Sequence, residues 1–200
     1  MSHPSAEPRP SNVNVPNALT ALRLVLVPVF GWLLLAESGA NPTLRIVAAG
    51  VFIIASLTDY VDGALARRNN QVTTFGKVAD PIADKALTGI ALIGLSLLSE
   101  LPWWVTIVII GREVIVTVLR FAVIKDGVIP ASRGGKAKTV SQMIAITMYI
   151  LPLTGPWITA RTIVMGVAVV LTVATGIDYA GRALAVRRRG DLVREAFKDS

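Results

Sequence analysis

Residues 59–84 read DYVDGALARRNNQVTTFGKVADPIAD and join two long apolar blocks, one running from about Leu44 into Leu65 and the next from Ile82 to Leu98. Blocks of that length suit bilayer spans, which need about 20 helical residues. Yet four of the chain's 13 acidic residues, Asp59, Asp62, Asp80 and Asp84, stand in this short window. A carboxylate at membrane depth is costly and is kept where it faces a polar cavity, a counter-charge or a metal. Helix positions three or four apart share a face. Asp59 therefore points with Asp62, and Asp80 with Asp84, while the intervening loop allows the two pairs to fold together. Four clustered carboxylates repel unless a divalent cation holds them, and a donor set of hard oxygens selects Mg²⁺ or Mn²⁺. The competing reading is that these aspartates cap helices or pair with Arg67, Arg68, Lys77 and Lys85. That suffices for a single aspartate and is strained for four at this spacing.

The rest of the chain supports a membrane setting. It is 53% hydrophobic and only 16% charged, with a mean hydropathy of +0.62, against roughly 45–50% and 25% in soluble domains. A soluble enzyme is disfavoured. With no cysteine there are no disulfides, thiolate metal sites or cysteine nucleophiles, and the one histidine, His3, lies in a polar tail. Besides the two blocks above, apolar runs extend from Ala18 to Ala36, Pro102 to Ile124, Val140 to Leu153 and Ile158 to Val186. The fold predicted is an all-α integral membrane protein of six transmembrane helices with a polar metal-binding cavity at the cytoplasmic side. The fifth run is short for a bilayer, so its helix is predicted to begin within Gly135–Thr139.

Residues 1–15 read as a flexible N-terminal arm without a cleavable signal, residues 16–186 as the six-span domain and residues 187–200 as a basic cytoplasmic tail. Of the 20 Lys and Arg, Arg45 and Arg161 fall at loops one and five and Arg112 falls inside the fourth span. The other 17 lie on the N-terminal side of the membrane or at span ends facing it. Basic residues concentrate on the cytoplasmic side. Both termini, loop two (about 66–81), loop four (about 125–138) and the aspartate site are thus expected to be cytoplasmic, in the cell membrane. The net charge of +7 would suggest nucleic acid in a soluble chain, but these basic residues alternate with bilayer-length apolar blocks, so no nucleic-acid partner is expected. Arg187, Arg188, Arg189 and Arg194 read as a stop-transfer signal and anionic-lipid contact.

Between the acids, Gly63 removes a side chain where a ligand can approach the backbone, Ala66 keeps the next turn small and Arg67 offers a bidentate fork for phosphate. Gly76 can relieve crowding four residues before Asp80. Written as Asp59-x2-Asp62-Gly63-x2-Ala66-Arg67-x8-Gly76-x3-Asp80-x3-Asp84, the segment resembles the complete signature of the CDP-alcohol phosphotransferase family. The resemblance extends to Pro16-Asn17-x-Leu19-Thr20-x2-Arg23, Asp80-Pro81-x-Ala83-Asp84-Lys85, Arg112-Glu113 with Arg120, and Gly135-Lys136-x-Lys138-Thr139-x2-Gln142. It covers roughly residues 15–182 and is greatest to the bacterial branch that makes phosphatidylglycerophosphate.

The resemblance implies transfer of a phosphatidyl group from CDP-diacylglycerol to sn-glycerol 3-phosphate, with release of CMP, in a homodimer embedded in membrane lipid. It implies two Mg²⁺ ions on Asp59, Asp62 and Asp80, with Asp84 touching the metals and serving as general base. The CDP moiety is implied to meet Asn17, Thr20, Gly63, Arg67 and Thr73. The acceptor phosphate needs its own cationic pocket, and Arg112, embedded in an apolar span, with Arg120, Lys136 and Lys138, are the candidates. For Arg120, Lys136 and Lys138 the alternative is ordinary positive-inside anchoring. Glu113 and Arg120, seven residues apart on one helix face, are expected to be partners. Asp178 and Tyr179 either line the cavity or serve only to pair with Arg182.

The signature says little about the acceptor, so a cardiolipin synthase of the same family, using phosphatidylglycerol, is the nearest alternative. Intramembrane prenyltransferases also bind diphosphate through aspartates, but with more spans and without the Gly63-to-Arg67 pattern. A transporter or proton relay explains buried acids but not metal-ligand spacing.

Overall fold

The computed structural model describes residues 15–68, 74–123 and 133–198, with side chains described over 21–58, 85–123 and 134–188. Among these residues the chain is all-helical: α1 (Val15–Leu35), a 3₁₀ turn (Ala36–Gly39), α2 (Pro42–Arg68), α3 (Thr74–Leu97), α4 (Trp103–Val123), α5 (Arg133–Ile150) and α6 (Pro156–Lys198). It falls into two compact units, residues 1–91 and 92–200.

In the first unit, the polar break after α1 is a tight reversal. Glu37, Ser38 and Gly39 all take positive φ, at 51°, 54° and 70°, a region that side chains disfavour. Asn41 then starts α2, its Oδ1 accepting from the backbone N–H of Thr43 at 3.0 Å and Leu44 at 3.3 Å, with Pro42 in the first helical position. This is the Asn-cap, Pro-N1 arrangement that satisfies the orphan donors of a helix start. The reversal lays α1 along α2, where Phe30 and Phe52 meet with ring centroids 5.5 Å apart and Val27, Leu34, Ala48 and Ala55 are buried. Gly31 lets α3 approach α1: a Cβ there would stand 3.1 Å from Ile90 Cγ2.

In the second unit α6 packs against both α4 and α5. The α3–α4 turn passes through Ser99 at φ 59° and is closed by the Glu100 N–H donating to Leu95 O at 3.0 Å. Ser96 and Thr106 join the helices it links through their hydroxyls at 2.7 Å, and Thr106 also donates to Leu92 O at 3.2 Å. Pro152 follows the end of α5, and Gly155 at φ 61° precedes Pro156 at the start of α6.

Beside an apolar core, some charged side chains are buried while many large apolar ones face outward. Arg23 is 1% and Lys138 6% exposed, while Phe121 is 68% and Ile177 69% exposed. Large exposed apolar side chains run along α1, α4 and α6, among them Trp32, Ile115, Val118, Val170 and Val173. Exposed apolar side chains in such number along single helices fit lipid or another protein rather than water. The segments Ala21–Gly39 and Pro156–Arg188 are each long and apolar enough to cross a membrane.

The helices outrun the apolar blocks. α5 begins at Arg133, two residues before the expected polar start, and α3 begins at Thr74, well inside the expected second loop. α6 continues through Arg187–Arg189 to Lys198, so the segment expected as a tail is helical. Its 43 residues span about 64 Å at 1.5 Å per residue, about twice a hydrocarbon core of roughly 30 Å.

Candidate functional site

The aspartate window is built on two helix ends. α2 continues unbroken through Asp59, Asp62, Gly63 and Arg67, and α3 through Asp80 and Asp84. The backbone therefore keeps the three- and four-residue spacings on single helix faces, as a shared ion site requires. The side chains of these residues, like those of Asn17 and Thr20 on α1, lie outside the described ones, and Thr73 lies outside the described residues altogether. One buried neighbour is described: Arg23 on α1 donates from Nε to Ala55 O at 3.3 Å, one turn before Asp59 on α2.

The four acceptor candidates of the second unit, Arg112, Arg120, Lys136 and Lys138, have described side chains. Arg112, in mid-α4, donates from Nη1 to Glu113 Oε1 at 3.1 Å and from Nη2 to Thr175 Oγ1 at 3.0 Å. Its Nε is buried without a hydrogen-bond partner among the described residues, an omission that costs on the order of 1–3 kcal/mol. Lys138 of α5 pairs with the same Glu113 Oε1. One carboxylate thus gathers two of the expected acceptor cations from separate helices, leaving a net positive cluster. Next to it, Gln142 donates from Nε2 to Thr172 Oγ1 at 2.8 Å, and that hydroxyl donates to Ala168 O at 2.6 Å.

The other two candidates lie differently. Arg120 is exposed and stands over the Tyr179 ring, 5.9 Å from its centroid. Lys136 is exposed while Lys138 is buried, because two residues turn a helix by about 200°. Glu113, expected as the partner of Arg120 from its face of α4, is engaged by Arg112 and Lys138. Asp178 takes the bland option, pairing with Arg182 at 3.0 Å with both side chains about half exposed. An arginine fork and a lysine point charge are groups that phosphate oxygens favour, and here both are gathered on the Glu113 carboxylate.

The two aspartate pairs lie on α2 and α3, and two of the four expected acceptor cations, Arg112 and Lys138, meet at Glu113. Residues 13–174 match the CDP-alcohol phosphatidyltransferase family. The chain belongs to that family. Among CDP-alcohol phosphatidyltransferases, it is 55% identical over 171 residues to the "Probable phosphatidylglycerophosphate synthase" of Mycobacterium tuberculosis, a match spanning 86% of this chain and 82% of that one. It is 41% identical over 179 residues to the "CDP-diacylglycerol--glycerol-3-phosphate 3-phosphatidyltransferase" of Bacillus subtilis, over 83% of this chain and 93% of the relative. A protein of the same name from Rickettsia felis is 39% identical over 172 residues, again over 83% and 93%.

What sequence reading of this phosphatidyltransferase missed lies on α6. Thr172, Thr175 and Gly176 sit within an apolar span where threonine and glycine are commonplace, and the contacts of Thr172 to Gln142 and of Thr175 to Arg112 join positions 30 and 63 residues apart. No local pattern announces such pairs.

Proposed function

We propose that this protein is a six-span membrane enzyme that transfers the phosphatidyl group of CDP-diacylglycerol to the primary hydroxyl of sn-glycerol 3-phosphate, giving phosphatidylglycerophosphate and CMP. The observation that carries the acceptor assignment is the Arg112–Glu113–Lys138 cluster, a cationic setting for a phosphomonoester, in a chain whose relatives are named for glycerol 3-phosphate. A phosphatidylglycerol acceptor carries only a phosphodiester and makes less use of two converging cations.

In this reading Asp59, Asp62, Asp80 and Asp84 hold two Mg²⁺ ions, with Mn²⁺ as a substitute. The metal supplies neutralisation of the diphosphate and of the departing CMP. Their oxygen-only donor set and same-face helix spacings fit such ions. Asn17, Thr20, Gly63, Arg67 and Thr73 seat the CDP moiety. Arg112 and Lys138 orient the acceptor phosphate, with Arg120 and Lys136 drawing the anion in from solvent. Asp84 takes the proton from the attacking hydroxyl. That oxygen bonds the phosphorus linked to diacylglycerol, and the bond to the CMP phosphate oxygen breaks, its electron pair leaving with CMP. Residues 16–186 carry this chemistry with both termini cytoplasmic, where the soluble substrate and the 17 basic residues of that side belong together.

The test is CMP release by purified protein from CDP-diacylglycerol and Mg²⁺ with each acceptor in turn. Release with glycerol 3-phosphate is expected. Release with phosphatidylglycerol but not glycerol 3-phosphate overturns the assignment in favour of a cardiolipin synthase.

A further inference from the structure

Thr175 and Gly176 are successive residues of α6, outside every motif quoted above, and both touch Arg112. A Cβ on Gly176 would stand 3.0 Å from Arg112 Cγ, 3.4 Å from Nε and 3.8 Å from Cδ, so the arginine stem lies close against the α6 backbone and would have to give way to a side chain at 176. The Thr175 hydroxyl donates to Leu171 O at 2.7 Å. With its hydrogen so committed, its oxygen is left to accept, and Arg112 Nη2 meets it at 3.0 Å. On the other side Glu113 takes Nη1. The guanidinium is therefore held at both Nη atoms by groups from two helices, while Nε stays buried and unpartnered among the described residues.

We infer that Thr175 and Gly176 are positioning residues that aim the Arg112 guanidinium at the acceptor's phosphate. The inference rests on the acceptor-site reading above and deepens it. A purely structural role would make the two residues matter for stability and for both substrates alike. A positioning role makes them matter for the acceptor.

The experiment compares full-length wild type, T175V, T175S, G176A and R112A in lipid–detergent micelles, measuring kcat, KM for glycerol 3-phosphate, KM for CDP-diacylglycerol and thermal unfolding. T175V keeps the shape and removes the acceptor oxygen, T175S restores it, and G176A displaces the arginine stem. Losing one charge-assisted hydrogen bond corresponds to about a tenfold rise in glycerol 3-phosphate KM for T175V and G176A, with kcat and the CDP-diacylglycerol KM within about twofold and T175S close to wild type. A glycerol 3-phosphate KM that rises in R112A but stays at the wild-type value in T175V and G176A overturns the positioning role and leaves the acceptor reading standing. An unchanged KM in R112A overturns both. If G176A does not fold, the T175V and T175S pair decides, and a parallel rise in both KM values for T175V that T175S does not repair overturns the inference.

Discussion

Glu113 of α4 and Lys138 of α5 form an ion pair 25 positions apart in the chain, and the same carboxylate oxygen accepts from Arg112 at 3.1 Å. Two cations proposed to hold one phosphate repel each other when no ligand is bound, and Glu113 offsets this. Its replacement by glutamine keeps the shape and removes the charge. Lys138 is 6% exposed, and a buried ammonium stripped of its counter-charge is costly. Glu113→Gln is expected to destabilise the protein by about 1–3 kcal/mol and to raise the glycerol 3-phosphate KM. Thermal unfolding and acceptor titration check both, and wild-type values in the two measurements would remove Glu113 from the site.

Lys136 and Lys138 separate on the same grounds. Both were legible as acceptor candidates from sequence, but one faces out and the other is buried against Glu113. Lys138→Met is expected to raise the glycerol 3-phosphate KM by about tenfold or more, the equivalent of a lost charge-assisted contact. Lys136→Met is expected to stay within about twofold at physiological ionic strength, where exposed charges are screened. Equal effects from the two lysines would refute the division.

The general-base role proposed for Asp84 can be tested by separating chemistry from binding. Asp84→Asn keeps an oxygen donor at the same helical position but cannot accept the hydroxyl proton. CMP release is expected to fall by about 10²-fold or more, the usual contribution of a positioned base, while binding of CDP-diacylglycerol survives. Chelation with EDTA is expected to abolish turnover, and added Mg²⁺ to restore it. An active Asp84→Asn enzyme would rule out the assignment.

How much of this was legible in the sequence depends on the range of the interaction. The polar start of α5 was readable to within two residues because the length an apolar run needs to span a bilayer is a local constraint. The early start of α3 at Thr74 and the run of α6 to Lys198 were not, because hydropathy marks the part of a helix that suits lipid rather than the whole helix. The aspartate spacings stood out because acids are rare in spans. Gly176 under Arg112, and Lys138 beside Glu113, depend on which helices pack together. The face-sharing rule that linked Glu113 to Arg120 within α4 carried no information about α5.

At the other end of the second unit, Arg161 of α6 bonds Glu100 at 2.8 Å and lies 4.7 Å from the centroid of the Tyr149 ring. Its side chain is 15% exposed, so the ion pair and the cation–π contact are partly desolvated and worth on the order of 1–2 kcal/mol together. These contacts tie the α3–α4 turn, α5 and α6. Arg161→Met is expected to lower thermal stability by that amount while both KM values stay at the wild-type level. A loss of acceptor affinity without a loss of stability would show that this cluster does more than fasten helices.

The proposed orientation is the most easily overturned claim, because the chain contains no cysteine and single cysteines can therefore report on it without background. Arg45 and Arg161 stand near the starts of α2 and α6, while the proposed topology puts 17 basic residues on the other side, a bias that sets topology when it lies in short loops close to the spans. Thr154, exposed in the loop between α5 and α6, and Ser200, which follows α6 in the chain, should then stand on opposite faces. A membrane-impermeant maleimide is expected to label Thr154→Cys in intact cells and to reach Ser200→Cys only in inverted vesicles. Labelling of both from one face would mean that α6 does not cross the bilayer, and the six-span reading would fall with it, even though its first 33 residues are apolar enough to cross.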